Sequence, residues 1–188
     1  MYDELLIKKS IIADDPLIFD RLLPYTNLSM DELFSLSYGF KSIKVMAELV
    51  TNGHIIPGEK QITAIIDMMT QKYEKKEDND AAVNLARYLF QIKVPFNKFV
   101  NDLGQTATML CIQNDNKFVF EQLMKTPEHV NAADTEFHTP LFYAIKQNNL
   151  YYVKNLLKKK ANPLHTDKNK NTALIYAVMK GNREIVKE

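Results

Sequence analysis

Cysteine and histidine are the first residue types in this chain to consider for a nucleophile or a metal ligand. The chain has one cysteine, Cys111, and four histidines, His54, His129, His138 and His165. A Cys–His pair would support nucleophilic catalysis, but no two histidines have a spacing such as His-x-x-x-His, which places two ligands on one metal ion. The five glycines form no phosphate-binding loop. The sequence therefore predicts no catalytic group, no metal site and no cofactor.

The charged residues have structural explanations. Asp14-Asp15-Pro16 has the order of a helix N-cap and first turn, which we favour over a catalytic carboxylate pair. The run Lys158-Lys159-Lys160 falls where a helix is predicted to end, and cations there stabilise the helix dipole. The net charge is +1, whereas a duplex-binding protein normally carries a basic surplus. We therefore expect no nucleic-acid partner.

One short phrase recurs with a period of 33 residues. Residues 139–145 read Thr-Pro-Leu-Phe-Tyr-Ala-Ile, residues 172–178 read Thr-Ala-Leu-Ile-Tyr-Ala-Val, and residues 106–112 are a weaker copy. A fixed period of this length is the signature of a solenoid built from supersecondary units. Because Cys111 takes the position of Ala144 and Ala177, we expect it to be a small buried side chain.

Each unit is predicted to contain two short helices and an extended loop. Thr139 is expected to be the N-cap of the first helix, with Pro140 in its first turn and an apolar face behind it. Asn148-Asn149 ends this helix. The second helix carries an apolar pair that recurs as Leu22-Leu23, Leu49-Val50, Leu89-Phe90, Leu123-Met124 and Leu156-Leu157. Ser29 and Glu32 form a capping box that opens another first helix.

An insertion lengthens the step between the second and third of these pairs. It is the charged run from Lys72 to Asp80. We expect an extended first helix followed by a solvated loop here, rather than a binding loop.

The unit from Asp134 to Leu164 resembles an ankyrin repeat, with Thr-Pro-Leu at the start of its first helix. In the next copy, Gly181, Glu184, Ile185 and Val186 are similar to the Gly-x-x-Glu-Val-Val pattern of that family. Two positions depart from the pattern: Phe137 and Lys170 stand where the family usually has a turn glycine, which Gly104 supplies one repeat earlier. Phe142, Ile175 and Met109 replace the usual histidine after Thr-Pro-Leu.

The resemblance implies an all-α fold, an ankyrin-type α-solenoid of stacked helix-turn-helix units with extended connecting loops. We expect degenerate N-terminal ankyrin-like units over residues 1–99 and three ankyrin repeats over residues 100–188, the last of them truncated. Glu188 falls inside a predicted amphipathic helix, so we expect a longer parent protein.

The resemblance also implies a partner-binding surface, because the loop tips and the exposed end of the first helix line the concave face of ankyrin proteins. These positions are mixed polar with modest positive charge, which suits a protein partner with some acidic character. The matching residues are Gln105, Gln113, Asn114, Thr135, Glu136, His138, Lys146, Gln147, Lys168, Asn169, Asn171, Met179 and Lys180. Tyr143 and Tyr176 could form a stacking ladder, but we favour partial burial between first helices.

These features favour a monomeric protein–protein interaction module without chemistry of its own. A broader resemblance, to Asn- and Lys-rich ankyrin proteins of intracellular bacteria, implies an effector acting on host proteins, hence a cytoplasmic location, in the host cytosol after secretion. The alternatives are a substrate-recruiting solenoid of an enzyme whose catalytic domain lies beyond residue 188, and a purely structural scaffold. No secretory signal and no apolar run of membrane-spanning length occur in the sequence.

Overall fold

Twelve α-helices and one 3-10 turn make up the regular structure of residues 2–94, 96, 100–126 and 130–188, the part of the chain that the computed structural model describes. These residues include no strand, and an isolated antiparallel bridge joins Thr166 and Thr172. The all-α class predicted from the sequence is confirmed. His129 and the predicted boundary at residue 99 lie outside the described residues, so the predicted division of the chain stays a prediction.

The first of two compact units comprises Met1–Met69 and Tyr73–Val94. Its helices are α1 (Tyr2–Ile12), α2 (Pro16–Leu22), α3 (Met30–Gly39), α4 (Ile43–Thr51), α5 (Glu59–Thr70, whose last residue belongs to the second unit) and α6 (Lys76–Gln91), with the 3-10 turn at Leu23–Tyr25. Helix α4 packs against α2, α3 and α6, and α1 packs against α2 and α3. The apolar stripe of α4, which includes Leu49 and Val50, is buried in this core.

Two helix starts in the first unit follow the sequence prediction. The Asp15 carboxylate accepts hydrogen bonds from the backbone N–H groups of Leu17 and Ile18, each at 3.1 Å, and caps α2. Ser29 and Glu32 form the predicted capping box of α3: the Ser29 N–H donates to the Glu32 carboxylate (2.8 Å), and the Glu32 N–H donates to the Ser29 hydroxyl (3.2 Å). These carboxylates are used in capping, as expected from their positions.

The prediction for the insertion from Lys72 to Asp80, an extended first helix followed by a solvated loop, is wrong. Helix α5 ends at Thr70, before the charged run, and α6 begins at Lys76 after a short loop. Glu77 and Asp78 lie in the first turn of α6, where negative charge stabilises the positive end of the helix dipole. The Asn79 amide also donates to the Tyr73 carbonyl (2.8 Å), which holds the loop against the helix start. A charged run therefore forms a helix N-terminus here and not an extended loop.

The second compact unit comprises Thr70–Lys72 and Pro95–Glu188. Its helices are α7 (Ala107–Gln113), α8 (Lys117–Leu123), α9 (Pro140–Lys146), α10 (Leu150–Lys158), α11 (Ala173–Lys180) and α12 (Arg183–Lys187). The first helices α7, α9 and α11 pack in series, and each packs against its own second helix, α8, α10 or α12. Leu141, Ala144 and Ile145 form the buried face of α9, as predicted. Thr139 stands at the predicted N-cap position, but its side chain makes no capping hydrogen bond.

The link between first and second helix has the same design in all three repeats of the second unit. A residue with positive φ ends the first helix, and an asparagine side chain then caps the second. The left-handed residues are Asp115, Asn148 and Gly181, with φ of 54°, 54° and 70°. The capping residues are Asn116, Asn149 and Asn182, whose side chains accept from the N–H groups of Val119, Tyr151 and Glu184. Aspartate, asparagine and glycine tolerate this backbone region best, which is why the turn is short.

Cys111 is fully buried in α7, in the alanine position of the repeat. Burial raises the pKa of its thiol, so the nucleophilic thiolate is suppressed. We expect the native protein to react with a thiol reagent such as DTNB far more slowly than the urea-unfolded chain. A Cys111→Ala, Asn169→Cys variant, with its thiol on an exposed loop, serves as the fast-reacting control. Equal rates for native and unfolded wild type would contradict the assignment.

Thr108 carries a buried hydroxyl without a hydrogen-bond partner. The equivalent positions in the next two repeats hold Leu141 and Leu174. We expect Thr108→Val to raise the free energy of unfolding by about 1 kcal/mol, because an unpaired buried hydroxyl is costly and valine has the same shape. Urea unfolding checks this, with Thr63→Val as control, since that hydroxyl is exposed and bonds the Glu59 carbonyl. A destabilised Thr108→Val variant would contradict the expectation.

Candidate functional site

Three hairpin loops precede the first helices of the second unit and share one hydrogen-bond pattern. They span residues 101–105, 134–138 and 167–171 and begin with Asn101, Asp134 and Asp167, 33 residues apart. In each loop the side-chain oxygen of the first residue accepts from the backbone N–H groups two and four residues later. The donors are Leu103 and Gln105 (3.1 and 3.0 Å), Glu136 and His138 (2.8 Å each), and Asn169 and Asn171 (2.9 and 2.8 Å).

A left-handed residue closes each hairpin turn. Gly104, Phe137 and Lys170 have φ of 73°, 62° and 62°. Phe137 and Lys170 therefore keep the conformation of the glycine that they replace, although a side chain in this region is unfavourable. Phe137 stays 52% exposed at the tip of its loop.

Backbone hydrogen bonds join neighbouring hairpins. The Thr135 N–H donates to the Leu103 carbonyl (3.1 Å), and the Lys168 N–H donates to the Glu136 carbonyl (3.2 Å). The Lys168 ammonium also pairs with the Glu136 carboxylate at 3.1 Å. The three loops therefore form one continuous edge, and seven of the thirteen predicted binding residues lie in these loops.

Tyrosine side chains tie two of the first helices to this edge. The Tyr143 hydroxyl donates to Asp134 (2.7 Å), and the Tyr176 hydroxyl donates to Asp167 (2.8 Å). Burial and the Asp134 hydrogen bond raise the pKa of Tyr143 to about 12. Both tyrosines are half-buried, so these contacts, more than a stacking ladder, account for the repetition of tyrosine in this position.

The Asp167 carboxylate is held in its ionised form. Burial alone would raise its pKa, but the hydrogen bonds from Asn171 and Tyr176 outweigh burial and lower the pKa below its usual value. A carboxyl group whose pKa is lower in the folded than in the unfolded state stabilises the fold above its unfolded pKa. That contribution is lost as the pH falls through the folded pKa.

His138 lies at the centre of a cluster formed by two successive repeats. Its ring centroid is 5.4 Å from that of Phe142 and 6.1 Å from that of Tyr176. Its Nδ1 lies 3.5 Å from an Asp134 oxygen, and the Lys146 ammonium lies 3.0 Å from its Nε2. In the tautomer that carries its proton on Nδ1, Nε2 accepts from Lys146.

The predicted binding residues differ in how far a partner can reach them. Eight side chains are exposed, at Gln113, Thr135, Glu136, Gln147, Lys168, Asn169, Met179 and Lys180. Four are half-buried, at Asn114, His138, Lys146 and Asn171. Gln105 is buried, and its amide donates to the Gln113 side chain (2.9 Å) and to the Tyr143 hydroxyl (2.8 Å).

Several of these residues meet in the fold. Gln105 touches Gln113, Gln147 donates to the Gln113 carbonyl (3.2 Å), His138 touches Lys146, and Glu136 pairs with Lys168. We call the three hairpins together with the C-terminal ends of α7, α9 and α11 the hairpin face. Sequence reasoning missed the anchoring roles of Asn101, Asp134 and Asp167, although their 33-residue spacing is visible in the sequence.

The described residues offer no group of three or more histidine, cysteine, aspartate or glutamate side chains placed to hold a metal ion. In the same ranges, no helix has the length and apolar character needed to cross a membrane.

Comparison with known proteins gives both a family and related structures. The family profile "Ankyrin repeats (3 copies)" matches residues 77–167 and 128–188, which together are more than half of the chain. The crystal structure of EF0377, an ankyrin repeat protein, is similar with a TM-score of 0.73 and 18% identity, covering 100% of this chain and 97% of that one. No curated protein sequence matches significantly.

A second similar structure contains the predatory endopeptidase Bd0816 from Bdellovibrio bacteriovorus in complex with the immunity protein Bd3460. The similarity to a chain of that complex has a TM-score of 0.68 and 18% identity, and it covers 97% of this chain and 95% of that one. At this level of identity the two structures support the fold alone.

Proposed function

Because this chain belongs to the ankyrin-repeat family, whose repeats are protein–protein interaction modules, we propose that it binds a partner protein through the hairpin face. The observation that carries the proposal is that different residues of the repeat position the hairpins and face the solvent. Buried side chains, Asp134 and Asp167 among them, hold the hairpins in place, whereas eight of the thirteen predicted binding residues extend into solvent. A rigid frame that presents exposed polar side chains suits recognition of a folded surface.

The proposed binding residues are the thirteen named from the sequence, and the chain acts as a monomer without chemistry of its own. Gln105 contributes by holding Gln113 and Tyr143 in position. One of the similar structures is a complex of an endopeptidase with an immunity protein, which supports partner binding as a use of this fold. The division of the chain into degenerate ankyrin-like units over residues 1–99 and three ankyrin repeats over residues 100–188 is part of the proposal.

The test compares two quadruple alanine variants in protein capture. The face variant replaces Gln113, Gln147, Met179 and Lys180, all exposed at the ends of first helices. The control variant replaces Lys117, Phe118, Lys154 and Lys158, which are exposed on the second helices α8 and α10. Exposed positions change stability little, so both variants should melt close to wild type.

We expect immobilised wild type and control variant to capture the same proteins from a lysate of the source organism, and the face variant to lose them. Mass spectrometry identifies the captured proteins, and hydrogen exchange on the complex maps the contact. Loss of capture by the control variant alone, or equal capture by both variants, would place the site away from the hairpin face.

A narrower form of the proposal is an effector of an intracellular bacterium that acts on host proteins in the host cytosol. Its support is compositional: only Arg21, Arg87 and Arg183 are arginines among the 24 basic residues, and asparagine is plentiful, as expected of an AT-rich coding genome. A reporter fused to the chain should appear in the host cytosol during infection. Retention of the reporter inside the bacterium contradicts this form and leaves partner binding intact.

A further inference from the structure

At the hairpin face the anchoring carboxylates are buried, whereas lysine side chains lie nearer the surface. The carboxylates of Asp134 and Asp167 are buried, with 5% and 1% of their side chains exposed. Each accepts two backbone N–H groups and a tyrosine hydroxyl, so its lone pairs are in use. The exposed Glu136 is already paired with Lys168. Asp102 is an exposed carboxylate in the first hairpin, but around the second and third hairpins the charge left for a partner to meet is positive.

Lys146 is the first source of that charge. It lies in the last turn of α9, is half-buried, and places its ammonium 5.1 Å from the centroid of the Tyr176 ring and 3.0 Å from His138 Nε2. Burial lowers the pKa of Lys146, an effect that Asp134, Asp167 and Glu136 oppose from a distance. Among the described residues, no carboxylate oxygen forms an ion pair with this ammonium.

Lys180 is the second source. It is exposed in the last turn of α11, one repeat further along, and its charge is close enough to lower the pKa of Lys146. No described carboxylate pairs with Lys180 either. Helices α9 and α11 pack side by side, so the two lysines lie on neighbouring last turns. Neither ammonium forms an ion pair with a described carboxylate, and Lys146 is partly desolvated. An anion brought to them forms charge-assisted hydrogen bonds.

We infer that the last turns of α9 and α11 form a seat for an acidic side chain of the partner, with Lys146 as the main ligand and Lys180 as the second. The inference rests on the proposed binding function and gives the partner a chemistry: an aspartate or glutamate in its interface. His138 and the Tyr176 ring fix the Lys146 ammonium, so less side-chain freedom is lost on binding.

Carboxylate is favoured over nucleic-acid phosphate as the occupant. Two unpaired ammonium groups suit one carboxylate, whereas a nucleic acid needs a stripe of cations along its backbone. The net charge of +1 offers no such surplus.

The test uses acetyl-hexaglutamate amide as probe, with acetyl-hexaglutamine amide and a thymidine hexanucleotide as comparisons, on the full chain. Amide chemical shifts of isotopically labelled protein report where each probe binds. We expect hexaglutamate to shift the signals of His138, Lys146, Tyr176 and Lys180, and hexaglutamine to leave them unchanged.

Lys146→Gln should weaken hexaglutamate binding by roughly tenfold, the scale of a charge-assisted hydrogen bond. Lys180→Gln should weaken it by about two- to threefold, as for an exposed ion pair.

Two matched variants complete the design. Lys146→Arg keeps the charge and should retain most of the binding, whereas Lys158→Gln removes an exposed lysine of α10 and should change nothing. If Lys146→Gln does not fold, acetylation of the wild type with acetic anhydride is the alternative measurement. Hexaglutamate should slow the acetylation of Lys146 and leave that of Lys158 unchanged.

Equal shifts with hexaglutamine, tighter binding of the thymidine hexanucleotide at the same residues, or undiminished hexaglutamate binding by Lys146→Gln would overturn the seat. Other results distinguish failure of the proposed function from failure of the seat. Binding of hexaglutamate at Lys146 without capture of any protein would contradict only the proposed function. A chain that captures its partner equally well with Lys146→Gln loses only the seat.

Discussion

Replacing Leu156 with alanine is expected to lower the free energy of unfolding by about 2–5 kcal/mol, as for other buried leucine truncations. Leu156 is 0% exposed in α10, where Tyr152 and Val153 are buried with it. Its equivalents one and two units earlier, Leu123 and Leu89, are also 0% exposed. The substitution leaves a cavity that the packed helices on either side fill only in part.

Urea unfolding followed by far-UV circular dichroism measures the change. Leu164→Ala is the matched control, because Leu164 is 79% exposed and its truncation should shift the midpoint little. Both variants remove the same atoms, so the difference between their free energies of unfolding reports the effect of burial. Coincident midpoints for Leu156→Ala and wild type would show that Leu156 is not a core anchor.

Asp134→Ala should lower the free energy of unfolding by at least about 2 kcal/mol, since hydrogen bonds to a charged group are strong and their donors would lose their partner. The carboxylate accepts from the N–H groups of Glu136 and His138 and from the Tyr143 hydroxyl. Without it the hairpin loses its internal bonds and its tie to α9 together. The effect should therefore reach partner binding as well as stability.

Two comparisons make the Asp134 experiment specific. Asp134→Asn should cost less than Asp134→Ala, because Asn101 already holds the first hairpin with an amide oxygen. Asp102→Ala removes an exposed carboxylate from the neighbouring hairpin and should be close to neutral. Thermal melting ranks the three variants. The expected order of melting temperatures is Asp102→Ala highest, Asp134→Asn next and Asp134→Ala lowest. A melting temperature of Asp134→Ala equal to that of Asp102→Ala would contradict the assignment.

The sequence by itself determined the repeat and the helices within it. The 33-residue period, the Thr-Pro start of α9 and the apolar spacing of Leu141, Ala144 and Ile145 are local signals, and the structure follows them. The burial of Cys111 could also be read from the sequence, because alanine fills its position in two neighbouring repeats. The helix start and its apolar face depend on residues within one or two helical turns of each other, where periodicity and capping decide the backbone. The period and the burial of Cys111 follow from the comparison of one repeat with the next, because equivalent positions of a solenoid have equivalent environments.

Charged runs were harder to interpret. The segment from Lys72 to Asp80 looks like a solvated loop by composition, yet its second half begins α6. Glutamate and aspartate are compatible with both states. What decides between them is the dipole of the helix that follows and the Asn79 bond to Tyr73, which the linear charge pattern does not contain.

Only the tertiary structure decided which polar residues of the hairpin face are available to a partner. Gln105 and Gln113 are the same residue type in the same repeat, yet Gln105 is buried in a hydrogen-bond network and Gln113 is exposed. The ring of Tyr176, from the next repeat, fixes the ammonium of Lys146. Contacts between residues about 30 positions apart determine burial and charge balance here. A polar side chain is compatible with either environment until the stacking of neighbouring repeats selects one.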